Sequence, residues 1–201
     1  MGDFDNDGDL DIIVANMNNQ ANVLYRNNGN GTFTNVTKLA GVSNPLNIDL
    51  IAFGDYNNDG FLDLYALIGN NNILYRNRAT SKHWLKIKLV GTKSNRDGFG
   101  ARIIVSTGDL KQMRYVDGGD LGGGFQSSQP IHFGLGTADS VDKIEVKWPS
   151  GIVTVLDDVP VNQMLTIVEG DSRCHTNPDS IALSDGIGNN LAQSNIRKEE
   201  T

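Results

Sequence analysis

The stretch GDFDNDGDLD at residues 2–11 sets Asp3, Asp5, Asp7 and Asp11 around Gly8, and no other feature constrains the chain as tightly. The same design returns as GDYNNDGFLD at residues 54–63, with Asp55, Asn57, Asp59 and Asp63 around Gly60. Oxygen side chains at loop positions 1, 3, 5 and 9, with glycine at 6, let a short loop wrap a hard cation. Ca²⁺ takes about 6–8 oxygens at about 2.3–2.6 Å, and glycine permits the sharp reversal that turns those oxygens inward. Four carboxylates crowded into one loop repel one another unless a cation sits among them. Asp-Gly and Asn-Gly clusters are also ordinary turn formers, but a turn does not need acids at alternate positions. Two copies of the pattern predict two calcium sites.

The residues downstream of each loop separate these sites from EF-hands, which place an acid at position 12 and open into a helix. Position 12 here is Val14 in the first loop and Ala66 in the second. The downstream runs, Ile12 to Ala15 and Leu62 to Ile68, are short, apolar and bounded by Asn and Gly, which reads as buried strand. The loops therefore join β-strands, with the cation pinning the turn.

The repetition continues past the loops. Asn22-Val23-Leu24-Tyr25-Arg26-Asn27 reappears as Asn72-Ile73-Leu74-Tyr75-Arg76-Asn77, 50 residues on, while Asp3 and Asp55 are 52 apart. Gly31 to Val36 alternates as a further strand. A period of about 50 residues built of short strands is the mark of β-propeller blades. Residues 1–80 resemble the FG-GAP/VCBS repeats of integrin-type β-propellers. That resemblance implies side-chain ligation by Asp3, Asp5, Asp7, Asp11, Asp55, Asn57, Asp59 and Asp63. It also implies backbone carbonyls from Asp9 and Phe61 at position 7.

Residues 81–170 read differently. Trp84 to Leu89 and Lys143 to Trp148 alternate with period two, the pattern of antiparallel strands with one wet face. Further strands are expected at Ala101 to Ser106, Lys111 to Asp117, Ile152 to Leu156 and Met164 to Glu169, and His132 falls in another. Asn95 to Gly98, Thr107 to Asp109 and Pro149 to Gly151 supply turns. The ordered phrases His83 to Ile87, Asp97 to Ala101, His132 to Gly136, Trp148 to Gly151 and Asn162-Gln163 resemble the ASPIC/UnbV domain. That domain comes after such repeats in the cartilage acidic protein family and in many bacterial proteins. The expected fold class is all-β: partial integrin-type β-propeller blades followed by a small antiparallel β-sandwich or barrel. Residues 171–201 lack periodicity and are expected to form a disordered tail.

Charge supports this division. Residues 1–80 hold nine Asp against three Arg and one Lys, a net of −5, whereas residues 81–170 balance ten acids with ten bases. The negative charge lies where the cation loops are. A pI near 4.8 without a basic patch argues against nucleic acid. No apolar stretch approaches the ~18–20 residues that cross a bilayer. The single Cys174 has no partner for an internal disulfide. Beside His175 it makes only a weak metal-binding pair.

Catalytic constellations do not assemble. Every clustered Asp already sits on a ligand position, so paired carboxylates for glycoside hydrolysis are not left over. Glu145 and Glu169 read as solvent-facing strand residues. Gly118 to Gly124 has no Lys-Ser/Thr after it and opens no helix, which fits a hairpin connection better than a phosphate cradle. Ser127 and Ser128 lack a His-Asp arrangement, and Trp84 and Trp148 read as core anchors. Since the sequence opens directly into the first loop, the chain is expected to be part of a longer protein, and the Asp55 site is expected to be the better ordered.

Two functions are compatible with these residues. The first is a non-enzymatic, calcium-binding extracellular β module for recognition, adhesion or matrix contact with a protein or glycan partner, located outside the cell or in the periplasm. The second is a carbohydrate-binding accessory fragment of a secreted enzyme whose catalytic domain lies elsewhere. Strong binding to one sugar class on a glycan array would favour the second.

Overall fold

The computed structural model describes residues 1–16, 20–43, 48, 50–68, 71–79, 81–117, 130–171, 175–176 and 197–199. The chain divides into two compact units, residues 1–82 with 182–201, and residues 83–181. The regular structure among the described residues is all β, and none of it is a helix long and apolar enough to cross a membrane.

In the first unit, β1 (Ile12–Val14), β2 (Val23–Asn27) and β3 (Phe33–Asn35) form one antiparallel sheet in that order. A second sheet runs β4 (Leu50–Gly54), β5 (Asp63–Ile68), β6 (Asn71–Arg76) and β15 (Arg197–Glu199). The second cation loop is the hairpin between β4 and β5, closed by the pair Gly54–Asp63. The first is closed at the equivalent place by the bridge Gly2–Asp11, whose amides and carbonyls bond both ways at 3.2 and 2.9 Å. The sequence reading did not single out β4, although Leu50 to Phe53 is apolar and feeds the loop directly. Leu24, Ile48, Leu64, Ala66, Ile73 and Tyr75 share one buried cluster with Phe4 and Val36, so both repeats contribute to a single core.

In the second unit, β7 (His83–Val90), β10 (Ile131–Gly136), β13 (Gln163–Val168) and β14 (His175–Thr176) form a sheet in the order β10-β7-β13-β14. The other sheet, β12-β11-β8-β9, holds β8 (Arg102–Thr107), β9 (Leu110–Tyr115), β11 (Ser140–Lys147) and β12 (Val153–Pro160). Strand alternation sends Leu85, Ile87, Phe133 and Leu165 from one sheet, and Ile103, Val105, Ile144 and Leu156 from the other, into a shared core. Two sheets facing one core make a sandwich rather than a barrel. Its pairings are not all antiparallel, because β13 lies parallel to β7 from Gln163–Leu85 to Val168–Val90. Returning to β7 only after the whole opposite sheet has formed, the chain can arrive in either direction.

Trp148 is core, as expected, and its indole N–H donates to Thr154 Oγ1 at 2.9 Å. Trp84 is buried on the opposite face of its sheet, with Lys86 Nζ 5.6 Å from its ring centroid. Within the tail expected to lack order, His175–Thr176 pairs with β13 and Arg197–Glu199 with β6. Gly118 to Gly124, Ser127, Ser128 and Cys174 lie outside the described residues.

Candidate metal centre

The two loops fold alike, bond for bond. At position 1, Asp3 accepts the amides of Asp7 (3.0 Å) and Gly8 (2.8 Å), and Asp55 accepts those of Asp59 (3.1 Å) and Gly60 (2.7 Å). Positions 3 and 5 each accept the amide two residues on, through Asp5 and Asp7 in one loop and Asn57 and Asp59 in the other. Left-handed backbone recurs too, at Asn6 (φ 55) and Gly8 (φ 98), then at Asn58 (φ 58) and Gly60 (φ 87). Asn tolerates that conformation at low cost and glycine at none.

Position 9 does more than the sequence reading assigned to it. Asp11 accepts the amide of Phe4 at 3.0 Å and that of Asn27 at 2.8 Å, so one carboxylate ties the loop to the end of β2. Asp63 does the same with Tyr56 at 3.2 Å and Asn77 at 2.7 Å. Asn27 and Asn77 complete the brace by donating from their side chains to Leu10 O and Leu62 O. Both asparagines stand at the end of the repeated Leu-Tyr-Arg-Asn phrase, a signal present in the sequence but not read as part of the site.

Asp3, Asp5 and Asp11 each present an oxygen within 4.8 Å of the others. Oxygens bound to one Ca²⁺ at about 2.3–2.6 Å lie at most about 5 Å apart, so the triad fits that cation. Each carboxylate oxygen that accepts one amide keeps a lone pair for a metal. Asp7 falls outside the triad, its carboxylate 3.9 Å from Lys82 Nζ, which also stands 3.4 Å from Asp5. Asp9 Oδ2 lies against the turn at Gly29, where a Cβ would come within 2.8 Å of it. In the second loop, Asn57 Nδ2 donates to Asp59 at 2.7 Å, and Arg76 stands 4.0 Å from the same carboxylate. Phe61 is buried, and its amide donates to Asp59.

The first loop is not left unsupported, as its place at the start of the sequence suggested. Asn77 Nδ2 donates to Phe4 O at 2.6 Å, and Asn6 Nδ2 to Gly60 O at 3.1 Å, so the second repeat braces the first.

Burial drives the electrostatics. Removal from water pushes Asp3 and Asp11 up to about 7 and Asp63 up to about 6, against the amide bonds that stabilise each carboxylate, with neighbouring Asp charges adding to the rise. Asp5 is raised by burial as well, although Lys82 opposes it. These groups bind protons more tightly folded than unfolded, so their effect on stability is favourable in acid and declines as pH climbs from about 4 to about 7. In EDTA the repeat unit should therefore melt at a lower temperature at about pH 8 than at about pH 5. A melting temperature that holds or rises over that interval would contradict the assignment.

Glu169, read from sequence as solvent-facing, is buried at 4% exposure. Its carboxylate accepts the amides of Thr92 (2.8 Å), Lys93 (2.6 Å) and Ser94 (2.7 Å) and the hydroxyls of Ser94 and Ser150. Leu165, Ile167 and Glu169 alternate onto the same buried side, so its charge rather than the strand period pointed to solvent, and the loop at 92–94 satisfies that charge there. Glu145 stays in the sheet as expected, 3.0 Å from Lys147 and 3.9 Å from Lys143.

Residues 3–66 match the model of the FG-GAP-like repeat, and residues 91–173 that of the ASPIC and UnbV family. The chain is also similar to cartilage acidic protein 1 of Mus musculus and of Homo sapiens, each 27% identical over 181 residues. That similarity covers 83% of this chain and 27% of either relative, so the chain spans about a quarter of their length. The twin braced loops, the sandwich after them and both family matches coincide along the sequence: the chain is an FG-GAP-like repeat protein with an ASPIC and UnbV domain.

Proposed function

We propose that this chain is a non-enzymatic, calcium-stabilised recognition module that works outside the cell or in the periplasm. The observation that carries the reading is the paired loop geometry, in which Asp3, Asp5 and Asp11 converge closely enough for one cation. When bound, calcium supplies the positive charge that lets these buried carboxylates ionise together. The protein's own part is orientation: position-1 and position-9 carboxylates are held by backbone amides, so few degrees of freedom remain to be lost on binding. The proposed ligands are the side chains of Asp3, Asp5, Asp7 and Asp11, with Asp55, Asn57, Asp59 and Asp63 in the second loop. Asp9 and Phe61 contribute carbonyls.

Modules of this kind bind calcium at about 10⁻⁴–10⁻³ M, levels met outside cells rather than in cytosol. The relatives' name, which refers to cartilage, supports the same setting. The serine hydroxyls beside Glu169 donate into it, which makes them a structural clamp rather than nucleophiles.

Calorimetric titration of the full chain tests the proposal. Two binding events are expected, with Asp3→Ala removing one and Asp55→Ala the other; absence of calcium heat in the unmodified chain would refute it. Lys82→Met should tighten the first site by roughly threefold to tenfold, since a cation close to Asp5 and Asp7 competes with the metal for the same charge.

A further inference from the structure

We infer that the outward face of the β12-β11-β8-β9 sheet docks an acidic polypeptide segment carrying apolar anchors. Ile103, Val105, Ile144 and Val146 point into the core, so the residues between them turn to the opposite face. Strand register aligns Met113, Ile104, Glu145 and Val155 in one row across the four strands. That row is apolar except for its carboxylate, and Met113 is 47% exposed. The adjacent row sets Arg102 and Lys147 between Tyr115 and Val153, which are 59% and 51% exposed. On the other side Lys111 and Lys143 flank it.

Charge decides the partner. Among the described residues paired across this face, Arg102, Lys111, Lys143 and Lys147 stand with Glu145 and Asp157, so these rows are net positive on a chain of net charge −7. Glu145 bridges to Lys143 and Lys147 and holds both over the apolar row. A purely apolar partner would strip water from the lysines without replacing it, at a cost in affinity. A purely anionic polymer would leave Met113, Ile104 and Val155 uncovered. A segment combining carboxylates with apolar side chains satisfies both. Four strands at about 4.8 Å spacing give a face about 15 Å wide, which suits one extended or helical segment.

The inference is independent of calcium. It is tested by NMR titration of the full chain with a short synthetic peptide alternating Glu and Leu, beside poly-L-glutamate and heparin. The peptide should shift amides in β8, β9 and β11. Its affinity should fall about tenfold or more in Lys143→Glu/Lys147→Glu and by a comparable factor in Met113→Ser. Amide spectra of the free variants establish that they keep the fold. Poly-L-glutamate should bind more weakly than the peptide. Shifts elsewhere or none at all, an unchanged Met113→Ser, or heparin binding tighter than the peptide would each overturn the proposal, the last by assigning the face to polysaccharide.

Discussion

About 10 mM calcium is expected to raise the melting temperature of the repeat unit by roughly 10 °C or more, and excess EDTA to reverse it. At a dissociation constant of about 10⁻⁴ M, that concentration stabilises the folded state by about 2.7 kcal/mol per site. A domain of this size gains roughly 4–8 °C per kcal/mol. The largest single loss should come from Asp11→Ala. It removes a member of the cation triad and both amide bonds that tie the first loop to Phe4 and Asn27. Asp63→Ala should act likewise on the second loop through Tyr56 and Asn77. Scanning calorimetry with and without calcium measures both effects. The sandwich serves as an internal reference, because its transition should not respond to the ion. Equal shifts in both transitions would show that calcium acts on something other than the loops.

Glu169→Gln is expected to lower the melting temperature of the sandwich by roughly 5–10 °C. Burial alone would raise this carboxyl. The Ser150 hydroxyl, the amides of Ser94 and Lys93 and the Ser94 hydroxyl outweigh that and hold it well below the usual carboxylate range. The amide replacement keeps the shape but removes the charge that five donors share, and its NH₂ group can only donate where a carboxylate oxygen accepted. The sign of the pH effect is opposite to that in the loops. A carboxylate more acidic folded than unfolded stabilises above its unfolded value near 4.5, and that contribution is lost as pH falls below it. The sandwich should therefore weaken in acid, in the range where the metal-free repeats are strongest. A Glu169→Gln variant that melts with the unmodified chain and keeps its acid sensitivity would remove Glu169 from the account.

Much of the architecture was legible because periodicity and repetition are local signals. The alternation in Trp84 to Leu89 and Lys143 to Trp148 located strands directly, although in the first of them Trp84 and Lys86 are buried on the face expected to be wet. The loops declared their own turn chemistry through Gly8 and Gly60. The hidden features required contacts distant in sequence. Asn77 gains its meaning from Phe4 O, 73 residues away, and Glu169 from the amides of residues 92–94. Neither spacing has a period, and although Glu169 follows Leu165 and Ile167 onto the buried side, alternation alone does not say which groups satisfy a carboxylate there. The parallel placement of β13 was equally unreadable, because pairing direction depends on where the chain travels in between. Lys82 lay beyond the acidic repeats, so its approach to Asp5 and Asp7 could not be inferred from charge counts.

The side-by-side course of β7 and β13 bears on how the sandwich carries mechanical load. Because the two strands run in the same direction over six register pairs, the entering end of β7 and the leaving end of β13 lie at opposite ends of that seam. Tension pulling those ends apart would shear the ladder, straining its bonds together instead of opening them one after another. Such a seam resists stretching better than a hairpin of similar length, and single-molecule extension should record a high rupture force where the two strands separate.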